Sequence, residues 1–325
     1  MQRSAIESVK SERTRTSSGI SIFAGMMLLM GACAMEAADD GLGEGEVDGP
    51  ELDGTNDPET AIASISAAVV EGESSCLDGI TDYDARGPFR YTSRRVGNVN
   101  MLVPSVPAGC KVPVAHLANG TGASCRVYQS ILNALASHGF LATCYESTNT
   151  GAGTQGLEAF ERALSTYPDL AARRFASLGH SQGGQGAFTV LALTEARFGE
   201  TGLYAGLAMQ PASGFGAQPR GATWQQLYGR IRSPMFMFSG TADILVSASW
   251  VRRGFDALNN DVEAYNWSAR GATHIPTPNN ETIQVAIPWF RWKLLGDTEA
   301  CESFKDLRGG FRWSQSQVQN EEPCD

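Results

Sequence analysis

The sequence predicts an α/β fold, a mainly parallel sheet flanked by helices and without a separate cap domain. Three observations carry this. From about Cys76 onward, strand-length apolar runs alternate with segments of helical periodicity. A Gly-x-Ser-x-Gly run, Gly179-His180-Ser181-Gln182-Gly183, joins the strand-like Arg174-Phe175-Ala176-Ser177-Leu178 to a helix-like segment ending at Phe198. The segments leading to this region, Met209 to Gly216 and Ile244 to Trp250, are short.

The N-terminus reads as disposable. A basic start (Arg3, Lys10, Arg13, Arg15) precedes an apolar stretch, Ile20 to Met30, which has the size of a signal-peptide core and is too short to span a bilayer. Residues 1–32 are therefore expected to be a signal peptide. Leu29-Met30-Gly31-Ala32-Cys33 resembles a bacterial lipoprotein processing site, which would make Cys33 a lipidated first residue; simple cleavage near Ala34 or Ala38 is the alternative. Residues 33–75 are rich in Asp, Glu and Gly, cannot bury enough surface to fold, and read as a tether. This segment carries many of the acids behind the net charge of −10, a balance that argues against nucleic-acid binding.

Residues 76–325 are expected to form one catalytic domain with a sizeable core. Val112 to Leu117 reads as its first central strand. Tyr128, Ile131, Leu132 and Leu135 mark a helix, and Phe140 to Tyr145 a return strand. Leu157, Phe160, Leu164 and Tyr167 mark the next helix, ended by Pro168. After the serine come strands at Tyr204–Met209, Pro234–Phe238 and Val262–Trp267, and a last helix through Ile283, Ile287, Phe290 and Leu294. The chain beyond it is read as a polar tail. There is no dinucleotide or Walker-type glycine loop and no His/Cys cluster of zinc spacing, so no cofactor and no metal are expected.

A serine hydroxyl is a poor nucleophile and needs a base, which in turn needs an orienting acid. On a strand–turn–helix of this kind the chain order is Ser, then Asp or Glu, then His, the order of the α/β-hydrolases. Of the 4 histidines, only His274 follows Ser181. His116 reads as a strand core residue, His138 as the last turn of a helix stopped by Gly139, and His180 as packing beneath the turn. Asp243, directly after an apolar strand, is the first choice of acid; Asp256 and Asp261 compete from a helix-like stretch and its end. The backbone N–H groups of Gln182 and Thr121 are expected to form the oxyanion hole.

The chain has 7 cysteines. With Cys33 set aside for lipid, the other six allow fifteen connectivities. A Cys301–Cys324 bridge would pin the tail; Cys76 and Cys110 flank the N-terminal strands, and Cys125 and Cys144 flank the first helix and its return strand.

Gly120-Thr121-Gly122, Ser137-His138-Gly139-Phe140, Gly179-His180-Ser181-Gln182-Gly183-Gly184, Gln210-Pro211, Asp243 and Gly271-Ala272-Thr273-His274 resemble the bacterial polyester hydrolases. These are the actinomycete-type cutinases, with their dienelactone-hydrolase and chlorophyllase-like relatives. The resemblance covers most of residues 76–325. It implies a lidless α/β-hydrolase fold with an open groove, the triad Ser181, Asp243 and His274, the oxyanion pair Thr121 and Gln182, and a C-terminal Cys301–Cys324 disulfide. Two positions depart from the family. Thr121 stands where an aromatic is usual, and the groove tryptophan is replaced near Ser213. The expectation is a monomeric serine esterase, secreted or lipid-anchored in the bacterial envelope, acting on short-chain esters and polyesters. A peptidase or lactonase on the same fold, or a non-catalytic surface-binding lipoprotein, are the alternatives.

Overall fold

The structure is a computed structural model that describes residues 75–324 except 85, 216, 220, 275–279, 309 and 311, and of 75, 280 and 281 only the backbone. The expected signal peptide, Cys33 and the tether up to residue 74 lie outside the described residues.

Nine strands among the described residues form one mixed, mostly parallel sheet, in the order β1-β2-β4-β3-β5-β6-β7-β8-β9. β1 (Tyr91–Val96) and β2 (Val99–Pro104) make an antiparallel hairpin at one edge, and β2 pairs antiparallel with β4 (Leu141–Tyr145). β3 (Val112–Ala118), β5 (Ala171–His180), β6 (Leu203–Met209), β7 (Met235–Gly240) and β8 (Ala264–Ala269) run parallel to β4. β9 (Trp313–Gln319) closes the other edge antiparallel to β8.

The sheet is buried on both faces, so its central strands read as continuous apolar runs rather than as alternating ones. β3 is buried at every position. The period of two nevertheless sorts the side chains. Ala115, Leu117, Leu178, Leu207, Phe236 and Phe238 face a core shared with α1 (Gln129–Ser137), α6 (Asn280–Leu295) and α7 (Thr298–Leu307). Val112, Val114, Phe175, Ala208, Met235 and Met237 face a second core with α2 (Thr154–Thr166), α3 (Gln182–Phe198), α4 (Trp224–Tyr228) and α5 (Ala248–Phe255). The result is three layers, helices over sheet over helices.

The C-terminal segment differs from the polar tail read in the sequence. It holds a helix and the edge strand β9. Phe304 of α7 is fully buried and stacks on Trp267 at 4.6 Å, and Trp313 meets Phe238 edge-on at 5.1 Å. Its polar residues form a second set of ties. Lys293, 3% exposed, pairs with Glu263 and with Glu322, the latter at 2.9 Å, and Arg308 pairs with Glu321 at 2.8 Å. The apolar anchors are few and widely spaced, so they carry weak periodicity in the sequence.

Three disulfides join described residues: Cys76–Cys110, Cys125–Cys144 and Cys301–Cys324. They fit an oxidising compartment. No helix among the described residues is long and apolar enough to cross a membrane.

Candidate active site

β5 ends at His180 and α3 begins at Gln182, leaving Ser181 alone on the turn between them. Ser181 has φ 58° and ψ −119°, a conformation that costs about 1–3 kcal/mol for a residue with a Cβ and persists only where its surroundings enforce it. The two motif glycines are part of that enforcement. A Cβ on Gly179 would lie 1.8 Å from the Gly183 carbonyl oxygen, and one on Gly183 would lie 2.0 Å from that of Ala118. The turn is therefore wedged against the end of β3. Its backbone is tied sideways to β6 and the following segment, through Ser181 N–H to Met209 O at 3.0 Å and Ala212 N–H to Ser181 O at 2.9 Å.

His274 comes from the loop after β8, and Asp243 from the turn after β7. His274 Nε2 lies 2.9 Å from Ser181 Oγ, and Nδ1 lies 2.8 Å from Asp243 Oδ2. A carboxylate only accepts, so Nδ1 carries the proton and Nε2 presents its lone pair to the serine hydroxyl. Asp243 Oδ1 is occupied by the N–H groups of Leu245 and Val246, each at 2.8 Å. The two carboxylate oxygens thus divide the work, Oδ1 anchoring the turn and Oδ2 orienting the imidazole. Burial pushes the Asp243 carboxyl upward. The hydrogen bonds from His274, Val246 and Leu245 and the His274 charge outweigh it, and its pKa lies below the ordinary value. Asp256 and Asp261 lie on the surface, where Asp256 pairs with Arg252 at 3.5 Å; neither joins this group.

The two expected oxyanion residues come from the start of α3 and from the turn that follows β3. Gln182 opens α3, so its N–H is among the first four that a helix leaves without an internal partner. Thr121 sits in a tight turn closed by Ala123 N–H to Gly120 O at 3.0 Å, with Gly122 at φ 70°. This is the type II pattern, which requires a positive φ at its third position. The steric contact of Gly183 with Ala118 and Asn119 packs the start of α3 against the entrance to that turn.

The three other histidines are buried. His116 donates to or accepts from Thr143 at 3.0 Å, and burial lowers its pKa to about 3. His138 sits just past α1 with Nδ1 facing Ala134 O at 2.8 Å and Nε2 facing Asp82 O at 3.2 Å. His180 lies under the serine turn, with Nε2 at 2.8 Å from His274 O. Among the described residues no cluster of three or more His, Cys, Asp or Glu side chains is placed to hold a metal ion.

Ser213 requires a correction. Its side chain is 3% exposed and its hydroxyl lies 2.9 Å from Tyr228 Oη, so it points into the core and offers no groove position. The aromatic at this place is instead Trp250 of α5. Its indole N–H donates to Ser213 O at 2.7 Å, and Phe215 packs edge-on against it at 6.4 Å. Residue spacing could not reveal this, because Trp250 arrives from a different strand's loop.

Sequence reasoning also missed Gln185, and the loop contact made by Gln210 of the Gln210-Pro211 pair. Gln185 donates to Gly151 O at 3.1 Å and Ala217 O at 2.8 Å, and accepts from Gly214 N–H at 2.7 Å. Gln210 donates to Thr273 O at 2.6 Å, gripping the loop one residue before His274. A usable signal was present: Gln185 stands on the otherwise apolar or small face of a helix, where an amide must find partners.

Compared with protein-family models and with curated proteins, the chain matches none.

Proposed function

We propose that this protein is a serine esterase of α/β-hydrolase fold that cleaves carboxylic esters through an acyl-enzyme. The observation that carries the reading is the unbroken chain Ser181 Oγ, His274 Nε2, His274 Nδ1, Asp243 Oδ2, with both links under 3 Å. Ser181 Oγ attacks the ester carbonyl carbon while its proton passes to His274 Nε2. The carbonyl oxygen takes the negative charge and is met by the N–H groups of Gln182 and Thr121. Asp243 holds the imidazole tautomer and offsets the charge of the imidazolium. As the tetrahedral adduct collapses, His274 returns the proton to the leaving alcohol. Water then enters by the same route, His274 again taking a proton, and the carboxylic acid leaves with Ser181 restored.

The preference for an ester class rests on exposure. Ser181 is partly open to solvent, and Ile244, directly after the acid, is 82% exposed. The segment between β6 and β7 adds only the five-residue α4. An open rim of this kind suits short acyl chains and extended aliphatic polyesters over long-chain triglycerides, which favour a deep enclosed apolar pocket. The three disulfides support an extracytoplasmic setting; secretion, or an anchor through Cys33, is part of this proposal.

The test is a fluorophosphonate label together with a screen on short-chain esters, long-chain esters and an aliphatic polyester film, using the full chain. Labelling at Ser181 with turnover of short-chain esters is expected. An unlabelled, folded protein would remove the reading.

A further inference from the structure

Tyr128 and His180 are buried polar side chains for which the reaction above has no use, being 2% and 5% exposed. They form a continuous chain of hydrogen bonds. Gly120 N–H donates to Tyr128 Oη at 3.0 Å; Tyr128 Oη lies 2.9 Å from His180 Nδ1; His180 Nε2 lies 2.8 Å from His274 O. Its two ends have no choice of role. A carbonyl oxygen only accepts, so His180 Nε2 carries the proton and Nδ1 is a bare lone pair. Tyr128 must then donate its only proton to Nδ1, which leaves its oxygen free to accept from Gly120. Every group is satisfied, and all the bonds run in one direction from one main chain to the other.

The ends are the informative part. Gly120 directly precedes Thr121 on the oxyanion turn, and the His274 carbonyl belongs to the base itself. We propose that Tyr128 and His180 are positioning residues that hold the oxyanion turn and the His274 main chain in one register around Ser181. The proposal rests on the ester-hydrolase reading of the site.

Three further observations support it. A Cβ on Gly120 would lie 3.1 Å from both His180 Nδ1 and Tyr128 Oη, so this residue packs closely on the two side chains. The His180 ring lies beside that of His274, with centroids 4.9 Å apart, so an imidazolium at 180 would oppose the one that forms at 274 during turnover. Burial first, and then the neighbouring His274, hold the His180 pKa down to about 3, which keeps that ring neutral. Gln210 donates to Thr273 O, so the His274 loop is held at two adjacent carbonyls.

The experiment replaces Tyr128 by Phe in the full chain, which deletes one oxygen and keeps the ring. Against a chromogenic short-chain ester, kcat is expected to fall about ten- to a hundredfold, the scale of a small misplacement of reacting groups, with KM nearly unchanged. His180→Gln, whose amide can still reach the His274 carbonyl, is expected to retain more kcat than His180→Ala; this pair decides the matter if Tyr128→Phe does not fold. A second readout needs no turnover. By ¹⁵N-histidine NMR, His180 is expected as the neutral Nε2–H tautomer, and Tyr128→Phe is expected to move the His274 titration midpoint. A folded Tyr128→Phe with wild-type kcat, a loss confined to KM, or an unmoved His274 titration overturns the proposal while leaving the triad intact. If the native protein is inert toward esters and fluorophosphonate, yet Tyr128→Phe still moves the His274 midpoint, the esterase reading falls and the coupling stands.

Discussion

The serine turn at residues 179–183 and the C-terminal extension at residues 298–324 are both fastened to the sheet, but by opposite physics. The turn is held by exclusion. Two positions admit no Cβ, Ser181 is forced into φ 58°, and the conformation persists because its neighbours leave no alternative. The extension is held by attraction. Phe304 and Cys301 are fully buried, Trp313 nearly so, and ion pairs at Lys293 and Arg308 close the edge. Substitution of Ser181 itself, unlike that of the two glycines, should therefore abolish activity with little loss of stability. Substitution in the extension should do the reverse.

The sharpest break of this comparison is Ser181→Ala. Turnover of a short-chain ester should fall by about 10⁶-fold, as expected where nucleophile and base act as a unit. Its melting temperature should stay close to wild type, because the Oγ supplies no core packing. Near-native activity in this variant, or in His274→Ala, would end the triad assignment.

Phe304→Ala tests the other side. It should cost about 3–5 kcal/mol in a urea melt, the range for removing a buried aromatic ring. The rate per folded molecule at room temperature should hardly change. A large loss of kcat without loss of stability would show that the extension shapes the site.

Replacing Cys301 and Cys324 together by Ser opens a link across 23 residues of sequence, worth about 3 kcal/mol in the chain-entropy model. The melting temperature should drop while the ester rate holds. Both thiols reacting freely in the oxidised, unreduced protein would contradict the bridge.

The smallest effect, per group, is on acid stability, and it separates the regions by histidine content. The extension has no histidine; His116 and His180 are buried in the central layers with pKa values lowered to about 3 by burial. The unfolded chain, with histidines near 6.5, binds more protons than the folded one between about pH 6.5 and pH 3. Stability should therefore rise with pH across that window and be lost as pH falls below 6.5, by about 2 kcal/mol for each group at pH 5. Urea melts at pH 7 and pH 5 measure it. A flat profile would mean that these rings already take up protons in the folded state. Asp243, whose pKa is lowered, works in a different window. Its contribution is present above the ordinary carboxylate value and fades only as pH falls below that.

The same contrast explains what was legible. The turn announced itself because its constraint is steric and local: only Gly fits at 179 and 183, and a strand and a helix must flank the serine. Asp243 and His274 followed from chain order, since just one histidine lies beyond Ser181. The extension was illegible because its stability comes from Phe304 meeting Trp267 and Phe236, partners distant in sequence, through a helix with few apolar residues. Ser213 was misread for a related reason. The family resemblance implied a groove position there, whereas the hydrogen bond to Tyr228 turns the side chain inward.

Local sequence is enough for the succession of central strands and helices along the chain, for the serine turn, and for naming Ser181, Asp243 and His274, which the fold brings within hydrogen-bond distance of one another. Those depend on interactions within a few residues: apolar runs, glycine sterics and a strand that ends in an acid. Tertiary packing sets which of the six described cysteines pair, that residues 298–319 form α7 and an edge strand, that Trp250 reaches the Ser213 main chain, and that Tyr128 and His180 join Gly120 to the His274 carbonyl. Each of these is a contact between segments remote in the chain, where burial leaves a polar group or an aromatic face with one available partner. That partner is set by the packing of the three layers and carries no signature in either segment alone.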